Sequence, residues 1–173
     1  MIKQTVYNPF TGITPGERSA IIKFICESNQ GNAIDQRSIS KALDYAVKDC
    51  PSFGGFVLLM EEDGKIIGSM IINRTGMEGY SAENILAFFA TDINHRESEL
   101  GRKMMEKALE NIKGDISLHL GPNHPELALF EALGFQARHV ELRLDKLRPQ
   151  RVRTMKTRIT TVSYTHLTLP TKA

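Results

Sequence analysis

The sequence predicts an α/β (α+β) domain: a mixed, mostly antiparallel sheet with a central parallel β-α-β unit and helices on both faces. Three observations carry this. Two helical periods open the chain, an apolar hairpin around Asp63-Gly64 follows, and strand-like and helix-like apolar runs then alternate as far as residue 144.

The elements follow in order. Gln4 to Tyr7 can form a short strand. Thr14-Pro15-Gly16-Glu17 starts a helix, with Thr14 as cap, Pro15 in the first helical position and Glu17 three residues after the cap. Ala20, Ile21, Phe24 and Ile25 continue it at helical spacing, and Gly31 should stop it. Asp35 opens a second helix carrying Ile39, Leu43, Ala46 and Val47 on one face, and Pro51 ends it. The period then changes. Phe56 to Met60 is a strand, Glu62-Asp63-Gly64 a hairpin turn, and Lys65 to Asn73 the antiparallel return strand. After a loop over 74–81, Asn84 to Thr91 is a continuous apolar strand, as expected where both faces are covered. A polar loop, Asp92 to Leu100, leads into a helix over Gly101 to Ile112. Asp115 to Leu120 is a short strand, and residues 84–120 should form a right-handed parallel crossover. Pro125 to Leu133 is a helix capped by Gly134, and Phe135 to Leu144 a last strand with alternating apolar residues.

Composition bounds the function. The longest uninterrupted apolar run, Ile85 to Ala90, is far short of the ~20 residues of a membrane-spanning helix. The start of the chain has no apolar stretch of the kind a signal peptide needs. The two cysteines, Cys26 and Cys50, form neither a metal-ligand spacing nor a disulfide framework, so a cytoplasmic, metal-free protein is expected. Net charge is +2, unevenly spread: residues 145–173 hold 7 of the 22 Lys and Arg and 1 of the 20 Asp and Glu. The body, residues 1–144, is therefore mildly acidic and lacks a basic stripe, which argues against nucleic acid as its partner. Residues 145–173 form a basic, threonine-rich tail. It reads as disordered or, over 159–173, as a translated adaptor or read-through end, and it is set apart from the fold.

A buried strand, a polar loop and a helix start make a place to hold an anion, because the first helical turn leaves N–H groups unpaired at the positive end of the dipole. Here the segment runs Phe89-Ala90-Thr91-Asp92-Ile93-Asn94-His95-Arg96-Glu97-Ser98-Glu99-Leu100-Gly101-Arg102. It resembles the acetyl-CoA loop of the GNAT N-acetyltransferase superfamily, in which Arg or Gln, two variable residues, Gly, one variable residue and Gly or Ala follow one another. Arg96 and Gly101 match the ends, and Glu99 stands where the first Gly is expected. Downstream, Asn123, Leu129, Glu131, Leu133, Gly134 and Phe135 are similar to the family's Asn…Leu-Tyr-Glu-Lys-Leu-Gly-Phe segment, with Phe130 in the tyrosine's place.

The resemblance implies acetyl-CoA as co-substrate, lying in a V-shaped split between the fourth and fifth strands. It implies that backbone groups of Arg96, Glu97, Ser98, Glu99, Leu100, Gly101 and Arg102 cradle the pyrophosphate. Main-chain groups near Ala90 and Thr91 would pair with the pantetheine arm and polarise the thioester carbonyl, and Asn123 would bond the arm. An amine of a small molecule or protein would attack directly, so that proximity supplies much of the catalysis. Two departures bear on the chemistry. A carboxylate at Glu99, ~5 Å from phosphate at an effective dielectric near 20, would cost about 3 kcal/mol. Phe130 cannot donate the proton that the family's tyrosine gives the leaving thiolate, a loss of ~10²–10⁴ in rate. Candidate proton-handling residues are Glu83, at the start of the fourth strand, and His119, alternating along the fifth; a solvated charge and a structural strand histidine are the plain alternatives. The second reading of the whole chain is a catalytically weakened acyl-CoA-binding or regulatory module. Either a monomer or a homodimer suits the fold.

Overall fold

The computed structural model describes residues 1–29, 34–96, 99–121, 123–144 and 146. It divides into two units, Met1–Gln136 and Ala137–Ala173. The first contains β1 (Ile2–Tyr7), α1 (Pro15–Ser28), α2 (Gln36–Val47), β2 (Gly55–Glu62), β3 (Lys65–Arg74), β4 (Asn84–Thr91), α3 (Leu100–Leu109), β5 (Ile116–Leu118) and α4 (Leu127–Ala132). The five strands lie in chain order in one sheet; β1 to β4 are antiparallel and β4 pairs β5 in parallel. This is the mixed sheet the sequence predicts.

Local chemistry explains the elements. Thr14 and Glu17 form a complete capping box: Thr14 Oγ1 accepts from the Glu17 N–H, and Glu17 Oε2 accepts from the Thr14 N–H at 2.9 Å. The other oxygen of Glu17 accepts from the Tyr7 hydroxyl at 2.9 Å, tying β1 to α1. Burial, and then the Glu17 partnership, push the Tyr7 phenol from its ordinary 10.0 up to about 12. The β2–β3 hairpin closes on Asp63 and Gly64, with φ of +50° and +76°, the twist that a two-residue turn requires. α2 carries Ile39, Leu43, Ala46 and Val47 inward as expected, and ends at Lys48 in the left-handed region.

The sheet has a core on each face. On one, Ile21 and Ile25 of α1 and the apolar face of α2 pack against Val57, Leu59, Ile71 and Ala90. On the other, Leu100, Met104, Met105 and Ala108 of α3 and Phe130 of α4 cover Leu58, Met60, Met70, Ile72 and Leu86. The alternation along β2 and β3 assigns successive residues to opposite cores, which is why both strands are apolar nearly throughout.

One expected element does not form. Residues 135–144 carry no strand, and Val140, Leu142 and Leu144 are exposed. Alternation assigns faces, but a strand exists only where a neighbouring edge supplies hydrogen bonds, and β5 is just three residues long. In the second unit Arg143 pairs with Glu141 at 2.6 Å. The tail assigned to residues 145–173 lies outside the described residues except for Lys146. Among the described residues no helix is long and apolar enough to cross a membrane.

Candidate active site

β4 is joined to β5 for only part of its length. The ladder runs Asn84↔Ile116, Ile85↔Ser117, Leu86↔Leu118 and stops. At that point β4 also bulges against β3: Ile72 faces Leu86 and Ile71 faces Phe88, leaving Ala87 without an opposite residue. A bulge bends its strand and adds twist, so β4 turns out of register where its partner ends. Beyond Leu86 the β5-facing edge of β4 opens onto a cleft of about 160 Å³. Asn29 and Ile34 line it from the α1–α2 side, Phe88 and Phe89 from β4, and His119, His124, Glu126 and Phe130 from the far side.

The closed end of the split is stitched by polar side chains. Asn84, 3% exposed, donates its amide to the carbonyls of Lys113 (2.8 Å) and Asp115 (3.1 Å). Glu83 Oε2 accepts from the Asp115 N–H at 2.7 Å, which holds its carboxyl below the usual range. Glu83, expected as a proton acceptor, stands at the opposite end of β4 from the opening and does not line this cleft.

His119 stands one residue past β5, exposed, on the cleft wall. Phe130 is 2% exposed; its ring meets Phe89 edge-on at 5.3 Å and Phe135 at 5.5 Å. Asn123 is exposed in the turn ahead of α4, next to His124. Ala90 and Thr91 are buried in β4, opposite Ser69 and Gly68 of β3.

The loop after β4 begins with Asp92, whose carboxylate accepts from the Asn94 N–H at 2.9 Å and is thereby held low. A short 3-10 helix, Ile93–His95, follows. His95 lies 3.5 Å from both Glu62 and Asp92. The Arg96 guanidinium donates to the Ser28 carbonyl at the C-terminus of α1, where a cation also suits the helix dipole. The side chain thus reaches back to α1 while Arg96 stays exposed. Glu97 and Ser98 lie outside the described residues. Glu99 is the exposed cap residue of α3 with no capping side-chain bond, Leu100 is buried, and Arg102 is exposed.

Gly101 carries more than the sequence suggests. A Cβ there would stand 2.7 Å from Leu129 Cδ2 and 3.4 Å from the Phe89 ring. The glycine lets the first turn of α3 close on α4 and on the cleft wall. It is buried, so its role in the fold is close helix packing; the N–H groups of this turn, lacking acceptors within the helix, are what an anion would meet.

Sequence reading missed Glu126 and His124. The Glu126 N–H donates to His124 Nδ1 at 3.3 Å. Burial pushes the Glu126 carboxyl up, and the Arg96 charge pulls weakly the other way. The available signal was spacing, since Glu126 precedes Phe130 by one helical turn.

The split sheet beside a helix N-terminus has counterparts among known proteins. Residues 54–137 match the model of the acetyltransferase (GNAT) domain. No curated protein sequence matches it. Among solved structures it is similar to a transcriptional regulator from Bacillus halodurans (19% identity, TM-score 0.60, covering 83% of this chain and 99% of that one). It is also similar to an aminoglycoside acetyltransferase from an uncultured soil sample (16%, TM-score 0.57, 84% and 98%). A third is the aminoglycoside N-acetyltransferase AAC(6')-Iy, solved with CoA (10%, TM-score 0.62, 86% and 96%). At these identities the likeness is one of fold.

Proposed function

We propose that this chain moves an acetyl group from acetyl-CoA to a primary amine of a small molecule or protein, by direct attack on the thioester. The observation that carries the reading is the open β4 edge beside the first turn of α3. Acetyl-CoA supplies an activated acyl carbon and a thiol leaving group. The N–H groups of Gly101 and Arg102, with the positive end of α3, hold the pyrophosphate, and the Arg102 side chain adds charge. Arg96, Glu97, Ser98, Glu99 and Leu100 complete that loop by resemblance. Main-chain groups of Ala90 and Thr91 orient the pantetheine arm, and Asn123 bonds it. His119, at the mouth of the cleft, receives the acceptor's proton directly or through water.

Glu99 is tolerable in this reading because it is exposed. With water around the carboxylate, repulsion from a phosphate ~4 Å away is about 1 kcal/mol rather than 3. A cytoplasmic protein, alone or as a homodimer, fits the scheme, with residues 1–144 as the acyltransferase portion. Calorimetric titration of the full chain with acetyl-CoA tests it. Micromolar binding is expected, and no binding at millimolar concentration overturns it. The second reading, an acyl-CoA-binding module with weakened turnover, is favoured by Phe130, which has no hydroxyl and is packed among rings. Under it, Phe130→Tyr leaves turnover at zero; under the first, turnover is measurable in the unaltered chain.

A further inference from the structure

Position 130 offers no proton, yet a carboxyl stands one helical turn earlier. Glu126 and Phe130 line the same wall of the same cleft, and α4 is the short helix that fixes their spacing. We propose that Glu126 is the proton donor to the departing thiolate, doing from position 126 what a hydroxyl at 130 would otherwise do. The proposal rests on the acetyl-transfer reading. Glu126 gives its carboxyl proton to sulfur as the amine nitrogen bonds to the acyl carbon and the carbon–sulfur electron pair leaves on sulfur. The surplus proton on nitrogen passes to His119, directly or through water, and the Glu126 carboxylate is reprotonated from solvent.

The surroundings suit a proton-holding carboxyl. Phe89 and Phe130 make the nearby wall apolar, and desolvation disfavours the ionised form. Burial is the larger influence on Glu126, with Arg96 opposing it. The other titratable groups on this cleft are His124, whose Nδ1 is engaged by the Glu126 N–H, and His119, one residue past β5. Arg96 is held at the end of α1 through Ser28, so Glu126 has a cation near it but no ion pair among the described residues.

The test needs no acceptor amine. CoA itself is bound to the full chain and to Glu126→Gln, and the ionisation of its thiol is followed by thiolate absorbance as pH is raised. A thiol ordinarily ionises near pH 8.5, and removing the last proton from a carboxyl–thiol pair leaves two anions side by side. A carboxylate within hydrogen-bond reach raises a thiol pKa. The bound thiol should therefore ionise about tenfold more readily in Glu126→Gln, one pKa unit lower, with CoA affinity at neutral pH unchanged within a few-fold. Equal thiol pKa values in the two proteins, with CoA bound to both, overturn the role of Glu126 and leave the cofactor reading standing. Failure of the unaltered chain to bind CoA overturns both.

Discussion

The two halves of β4 behave differently. From Asn84 to Leu86 it is joined to β5 by a parallel ladder, reinforced by the Asn84 amide on two carbonyls, by Glu83 on Asp115, and by Ser117 donating to the Asn84 carbonyl at 3.4 Å. From Ala87 onward it carries no β5 ladder among the described residues, and Phe89 meets the Phe130 ring edge-on. Polar side chains close one end and rings flank the other. A cleft in a sheet thus needs two devices: a stitched end that keeps the strands aligned, and packed rings beside the opening that fix its wall.

Removing one of these rings should have the largest effect. Phe130→Ala deletes a buried ring held by two aromatic neighbours, and should cost about 3–5 kcal/mol in denaturant unfolding. A cost under about 1 kcal/mol would mean that the rings merely fill space. Loosening the stitched end comes next. Asn84→Ala leaves the Lys113 and Asp115 carbonyls without their side-chain donor; about 1–3 kcal/mol is expected, with faster amide exchange along β5 than along β3. Equal exchange in both strands would show that the ladder alone sets the alignment. The smallest effect should be a sign. The Glu126 carboxyl is raised in the folded state, so the fold binds protons more tightly than the unfolded chain, and stability falls as pH rises past the ordinary glutamate value. Glu126→Gln should therefore stabilise the protein at neutral pH, with the gain vanishing below about pH 4. A loss at neutral pH would mean that the carboxylate is paired there.

Much of this contrast was legible in the sequence. The apolar run from Asn84 to Thr91 marked a strand covered on both faces, and the loop to Gly101 marked the helix start beside it. The hairpin and the capping box were readable because each depends on residues within three positions of one another. What escaped depends on distant partners. Glu83 reads as a free carboxylate until Asp115 is brought beside it by the β4–β5 pairing. Gly101 reads as a phosphate-loop glycine until Leu129, 28 positions away, is seen over it. The strand expected over 135–144 had the right alternation, but alternation cannot report whether an edge is offered. Glu126 was passed over because its burial arises only when the chain has folded.

The clasp between β1 and α1 has a working range. The Glu17 carboxylate serves the Thr14 N–H, the Thr14 hydroxyl and the Tyr7 hydroxyl together. Its pKa is lowered, first by the Thr14 hydroxyl, so this contribution is present above the unfolded value and is lost as pH falls through the folded one. Tyr7 sets the alkaline limit: its stabilising share is full below 10.0 and disappears as pH climbs to about 12. One hydrogen bond thus fails in acid by gaining a proton and in alkali by losing one. At either extreme the strand set loose is the one at the β1 end of the sheet, and its departure would bare β2 as a template for another chain.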